Sequence, residues 1–198
     1  MNLTKSTRGA ATRNRVLEVA REVLANEGLE AFALRDIAKR AGMQLGNLQY
    51  YFPAREDLIE AVIRAESASN VEIMNELMKG ARDLEDYMTQ LAQLMIREYN
   101  SMGGKVWPIL RLLRTHSERF RDISRVIYQE HFDALIAGMI RFGVPGTKRE
   151  LMDKARVITA LVDGAALQAH LWANPRNSEA WTSLCRRTSD IAAAVAAE

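Results

Sequence analysis

Apolar positions along most of this chain recur at the spacing of a helix. Between residues 12 and 27, Val16, Leu17, Ala20, Val23 and Leu24 fall at i, i+1, i+4, i+7 and i+8, which lines one face of an amphipathic helix. Gly28 follows, where a helix C-terminal glycine belongs. A short helix fits residues 34–41, with Ile37 and Ala38 on its apolar side and Gly42 just past its end. Another fits residues 45–51 and is stopped by Pro53, because the residue before a proline avoids the α region. Glu56 and Asp57 then open a much longer helix reaching about Lys79, their negative charge suiting the positive end of the helix dipole. Further helices are predicted over 83–101, 105–116, 118–142, 148–173 and 178–197, with Gly103-Gly104, the loop GVPGT and the segment NPRN among the interruptions. Strand-like alternation is absent, and no segment repeats. The expected class is therefore all-α. Three helices packed into the first third suggest a compact head, residues 1–54, on a larger bundle, residues 55–198. The seam falls near residues 53–56, and the helix that starts there would act as a rigid connector.

Composition narrows what such a chain does. With 198 residues, 48% of them apolar and 26% charged, it resembles an ordinary globular protein with a real core. The net charge of +2 rules out a polybasic nucleic-acid glue. Its distribution says more: through Arg55, nine basic residues stand against five acidic ones, +4, which leaves −2 for the remainder. That asymmetry points to an anionic partner at the N-terminal end. Cys185 is the only cysteine, which excludes an intrachain disulfide and suits a reducing cytoplasm. No early run has signal-peptide character and none approaches the roughly 18 apolar residues of a membrane span, so a soluble, cytoplasmic protein without a membrane partner is expected. His116, His131 and His170 are far apart and lack metal-ligand spacing. No phosphate loop, nucleophile elbow or paired-carboxylate motif is present. Neither an enzyme nor a metal or cofactor is expected.

The most informative stretch is AGMQLGNLQYYFPAREDL, residues 41–58. A helix-turn-helix needs a small residue where its helices cross, a glycine in the turn, and apolar residues locking the second helix down. Ala38 is the small residue, Gly42 the turn, and Ile37, Met43, Leu48 and Tyr51 the lock. Gln44, Leu45, Asn47, Gln49 and Tyr50 are then left facing outward, and Gln and Asn suit bidentate pairing with adenine in the major groove. Gly46 would let backbone approach closely. Tyr51 and Phe52 read first as core, with the Tyr51 hydroxyl turned toward a phosphate.

The segment GLEAFALRDIAKRAGMQLGNLQYYFPAREDLIEAVI resembles the N-terminal domain of the tetracycline-repressor (TetR) family of transcriptional regulators, over residues 12 to about 62. The resemblance rests on a first helix ending in glycine, an IA-x-x-AG core, an aromatic run ending in Phe, and the P-x-R-E-x-L start of the fourth helix. It implies a homodimer whose two heads read the half-sites of a palindromic operator in double-stranded DNA, and a helical C-terminal domain that binds a small effector. Arg55 stands at the family's phosphate-binding position. Arg8 and Arg13, expected on a tail before the first helix, read either as minor-groove or phosphate contacts or as a solvated tail. The chain departs from the family at Ala33, where Thr or Ser caps the second helix, so that Arg35 and Asp36 must compensate. It departs again at Leu45, usually polar or basic and here suited to a thymine methyl, and at Gln49, usually Tyr.

In the bundle, the resemblance implies a ligand cavity, and Met95, Tyr99, Trp107, Leu110, Tyr128, Phe132, Gln168 and Trp172 are its candidate lining, each equally explicable as core filling. The segment ALVDGAALQAHL is similar to the family's dimerising helix. Ala160, Leu161, Gly164, Ala165 and Leu167, with Ile191 and Val195 of the last helix, are the candidate interface. Effector binding is expected to move the connector helix and release a repressor from DNA. Two alternatives stand beside that reading: an activator or corepressor-dependent regulator of the same fold, and a helical adaptor whose head no longer binds DNA.

Overall fold

The computed structural model describes residues 3–98, 101, 103–169 and 179–198, with side chains from Gly9 onward apart from those of 97, 98 and 169. Among the described residues there are nine helices and no strand. They are α1 Leu3–Glu27, α2 Leu34–Arg40, α3 Leu45–Tyr51, α4 Arg55–Gly80, α5 Leu84–Glu98, α6 Val106–His116, α7 Glu118–Arg141, α8 Lys148–Ala169 and α9 Glu179–Ala197. The all-α expectation holds, and most helix ends lie within a residue or two of those read from the periodicity. The expected stretches 99–100 and 170–173 lie outside the described residues.

The first difference is at the N-terminus. Arg13 does not sit on a tail: α1 starts at Leu3, and both Arg8 and Arg13 belong to it. Nothing in the stretch before residue 12 stops a helix except Gly9, and one interior glycine costs only about 1 kcal/mol against alanine. The side chain of Arg8 lies outside the described residues.

The second difference concerns the seam. The chain forms two compact units, Met1–Glu66 with Lys105–Ile123, and Ser67–Gly104 with Ser124–Glu198. The seam expected at residues 54/55 falls inside the first unit. The reason is burial: Leu58, Ile59, Val62 and Ile63 of α4 are at most 1% exposed and complete the core of the head with Val16, Ala20, Val23, Leu24, Phe32, Ile37 and Leu48. Periodicity marks such residues as apolar but does not say which unit they serve.

In the second unit α5, α8 and α9 pack against one another. Their core includes Tyr87, Met88 and Ile96 of α5, Ala155 and Ile158 of α8, and Trp181 and Cys185 of α9, joined by Leu135 and Met139 of α7. Cys185 is a buried, unbridged residue of this core. Gly138 of α7 has a packing reason: a Cβ there would lie 2.3 Å from Cε1 of Tyr87. A glycine is needed for the tyrosine ring to lie against the helix.

Candidate nucleic-acid interface

The head builds a helix-turn-helix from local signals. Gly42 has φ 68°, a conformation that costs glycine nothing and an L side chain about 1–2 kcal/mol. This turn lets the Gly42 N–H reach the Lys39 carbonyl at 3.1 Å and the Met43 N–H reach the Ala38 carbonyl at 3.0 Å, satisfying carbonyls left open at the end of α2. Ala38 is 1% exposed and Ile37 is fully buried, as the crossing of two short helices requires. Ala33 occupies the N-cap of α2 and makes no side-chain cap bond, while Asp36 places an acidic group in the first turn. At the other side of the motif, the Ala54 N–H donates to Asp57 Oδ2 at 2.8 Å, so the carboxylate caps the start of α4.

On α3 only Leu48 is fully buried. Leu45 and Tyr51 are half-buried, whereas Gln44, Gly46, Asn47, Gln49 and Tyr50 are exposed. Tyr50 is 82% exposed, an arrangement that burial inside this chain does nothing to explain. Its ring meets Tyr51 edge-on at 5.3 Å, which steadies both rings. A Cβ added at Gly46 would meet nothing within 4 Å, so the absence of a side chain there serves no packing need in the free chain. The structure thus brings Leu45, Gly46, Asn47, Gln49 and Tyr50 onto one short helix anchored by a single buried leucine, with Gln44 at its N-cap.

The basic residues of the head divide into two groups. Arg40 forks onto Glu27 with one bond of 2.8 Å and a second, shorter one, and this pairing holds the Glu27 carboxyl below its ordinary range. Arg21 pairs with Glu66. Arg55 is likewise engaged: its Nε donates to the Phe32 carbonyl at 2.7 Å and its Nη2 to the Leu29 carbonyl, with the guanidinium 6.0 Å from the Phe32 ring centroid. Through these bonds Arg55, expected as a phosphate contact, also staples the α1–α2 loop to α4. Sequence spacing cannot reveal this, since the two carbonyls come from more than 20 residues upstream. Arg15, Arg35 and Lys39, by contrast, are exposed and make no ion pair among the described residues. Arg13 is also exposed, with its guanidinium 5.3 Å from the ring centroid of Phe52, just beyond the end of α3. Lys39 escaped the sequence reading, although it lies one turn from Arg35 and on the same exposed side of α2. That i, i+4 spacing was the available signal.

The other candidate sets fare unevenly. Trp107 and Leu110 belong to the first unit, Met95, Tyr128 and Phe132 are half-buried in the second, and Gln168 is exposed. Tyr99 and Trp172 lie outside the described residues. Tyr128 donates to Asp163 Oδ2 at 2.6 Å and lies 5.9 Å from Phe132, centroid to centroid. Of the proposed contact residues on α8 and α9, Ala165 is 3% exposed and part of the second unit's own core, so it offers no surface. Leu161, Gly164 and Val195 are half-buried, and Ala160, Leu167 and Ile191 are exposed. Val157, which the sequence reading missed, is 53% exposed and completes a row Val157, Ala160, Gly164, Leu167 along α8. No group of His, Cys, Asp and Glu suited to a metal ion occurs among the described residues. None of the described helices is long and apolar enough to cross a membrane.

A tight turn, a one-leucine anchor and an exposed polar row define a helix-turn-helix DNA-binding protein. Residues 16–62 match the family described as bacterial regulatory proteins, tetR family. The chain is 38% identical over 55 residues to the HTH-type transcriptional repressor KstR2 of Mycolicibacterium smegmatis, a match that covers 28% of this chain and 27% of that protein. It is 26% identical over 170 residues to the HTH-type transcriptional regulator PksA of Bacillus subtilis, covering 80% and 78%. The fold is shared with a putative transcriptional regulator from Saccharomonospora viridis solved in complex with choline, at TM-score 0.74 and 18% identity over 92% of this chain and 95% of the other. These matches give residues 16–62 a TetR-family head and the chain a fold shared with solved transcriptional regulators. Its relatives are regulators rather than enzymes.

Proposed function

We propose that the chain is a repressor that binds a palindromic operator as a homodimer and leaves it when a small molecule occupies the second unit. The exposed residues Asn47, Gln49 and Tyr50 of α3, with Gln44 at its N-cap, carry this reading, because burial inside the chain does not account for them. Asn47 and Gln44 would pair with base edges, Leu45 with a thymine methyl, and Arg13, Arg35, Lys39 and the Tyr51 hydroxyl with phosphates. The row Val157, Ala160, Gly164 and Leu167, with Ile191 on α9, supports pairing of α8 and α9 with their copies in a four-helix interface. Two heads so joined must set their recognition helices about 34–36 Å apart, or a multiple of it, to bind one face of B-DNA. The effector would lie against Met95, Tyr128 and Phe132, and the choline complex of the structural neighbour supports a small-molecule ligand. By linkage, an effector that weakens DNA binding must itself bind the DNA-bound dimer less tightly. A cytoplasmic location follows from the partner.

The test is selection of bound duplexes from a random pool at two salt concentrations, repeated with Asn47→Ala. The expected result is a palindrome that relaxes at one position in each half upon substitution. Retention that depends on salt but not on sequence would mean the head does not read bases, and the adaptor reading would take over.

A further inference from the structure

The chain passes between its two units three times, after Glu66, after Gly104 and after Ile123. Two of these passages are made by unbroken helices, α4 and α7. Inside the first unit the starts of those helices are tied together by one side chain. Arg119, in the first turn of α7, donates from Nη2 to Asp57 Oδ1 at 2.7 Å and to Glu60 Oε2 at 2.7 Å, and from Nε to the same Glu60 oxygen at 2.9 Å. Glu60 also receives Arg64 Nε at 2.8 Å. Asp57 is the carboxylate that caps α4 through the Ala54 N–H. Between that cap and the end of α3 stand only Phe52, buried at 3% exposure, Pro53 and Ala54. Neither a fixed proline φ nor a buried aromatic gives such a link much slack.

We propose that Arg119 is a positioning residue for DNA binding, holding the start of α4 through Asp57 and Glu60 and thereby fixing α3, so that any displacement of α7 reaches the recognition helix through this junction. This rests on the DNA-reading function given above. The side chain of Arg119 is 42% exposed and those of Asp57 and Glu60 are 31% and 21% exposed, so the junction adds little to global stability. Its effect is on geometry. α7 runs on to Arg141 in the second unit, so Arg119 links a helix that leaves the first unit to the start of α4.

The experiment uses the full chain and the duplex recovered by selection. Arg119→Ala is expected to weaken duplex affinity by about fivefold, the reach of a partly exposed pair. Glu60→Gln should also weaken it, and the double variant should be no weaker than Arg119→Ala alone. Without DNA, hydrogen exchange over residues 55–63 should quicken in Arg119→Ala while that of α5 stays unchanged. Arg119→Lys, which keeps the charge and loses the planar fork, should fall between wild type and Arg119→Ala, and it decides the matter if the alanine variant does not fold. Tighter binding by Glu60→Gln would overturn the proposal, because it would mean that Arg119 contacts phosphate directly and Glu60 competes for it. Unchanged affinity and exchange in Arg119→Ala, or additive losses in the double variant, overturn it too. If the wild-type chain binds no duplex, the DNA reading fails, and the exchange over residues 55–63 alone judges the junction.

Discussion

At the scale of single residues, Gly46 separates packing from function more sharply than any other position. It lies inside a helix, is exposed, and has no neighbour within 4 Å of an added Cβ. Gly46→Ala should therefore raise stability by about 0.5–1 kcal/mol, since the unfolded chain loses freedom and the helix gains a better former. If DNA backbone comes close to this spot, the same methyl should weaken operator binding. A thermal melt beside a binding isotherm checks both, and a more stable variant with undiminished binding would remove Gly46 from the interface. Ala33 offers the complementary case. It is an N-cap without a cap bond, so Ala33→Ser should stabilise the head by about 1 kcal/mol in urea unfolding, by closing one open N–H at the start of α2. The roles of Gly42 and Ala33 were legible in the sequence because each depends on one residue type at one place in a local motif. The role of Arg55 was not, because its partners are backbone carbonyls, and every residue but proline offers the same two groups to a neighbour in space.

At the scale of helices, periodicity located nearly every element but could not rank its faces. Along α8 the apolar residues serve two masters: Leu151, Ala155, Ile158 and Val162 enter the core, while Val157, Ala160 and Leu167 stay outside. Sequence alone grouped Ala165 with the second set because small residues look alike wherever they point. The exposed row gives a direct test of pairing. Leu167→Glu places a charge on a 51% exposed position, which the isolated chain should tolerate. In sedimentation it should convert a dimer to a monomer with an unchanged melting curve at low concentration, and it should reduce operator binding because one head alone reads only half a site. A variant that stays dimeric would move the interface elsewhere. The packing of α7 on α5 yields a second test. A methyl at Gly138 would press on the fully buried Tyr87 ring, so Gly138→Ala should cost about 1–3 kcal/mol in denaturant unfolding through overpacking. If the variant were as stable as wild type, the close approach of α5 and α7 drawn here would be wrong.

At the scale of the whole molecule, the titrating groups define a pH range of stability with a sign at each end. The Arg119 bond, joined by the Ala54 N–H, holds the Asp57 carboxyl below its ordinary range. For Glu60, burial acts to raise the value, but the bonds from Arg64 and Arg119 outweigh it and leave it lowered. In the second unit Asp86 is held low by Arg82, and Glu150 by the Thr147 N–H and hydroxyl. In each case the folded chain binds its proton less readily than the unfolded chain does. The stability these groups contribute is therefore present above the ordinary carboxylate range and is lost as pH falls through their lowered folded values. At the alkaline end, burial raises the Tyr87 phenol to about 12 from 10. The unfolded chain gives up that proton first, so the contribution of Tyr87 is complete below pH 10 and is lost as pH rises toward 12. Urea midpoints should accordingly be level across neutral pH, fall below about pH 5, and fall again in alkali. Arg119→Ala should flatten part of the acid limb, because Asp57 and Glu60 lose the partner that lowers them. Tyr87→Phe should soften the alkaline limb and remove a late-ionising tyrosine from the ultraviolet titration. The two substitutions report on different units, since Asp57 and Glu60 belong to the first and Tyr87 to the second. An acid limb that Arg119→Ala leaves unchanged would mean that Arg119 does not hold Asp57 and Glu60 low in solution, and hydrogen exchange over residues 55–63 would then decide whether the junction at the start of α4 forms.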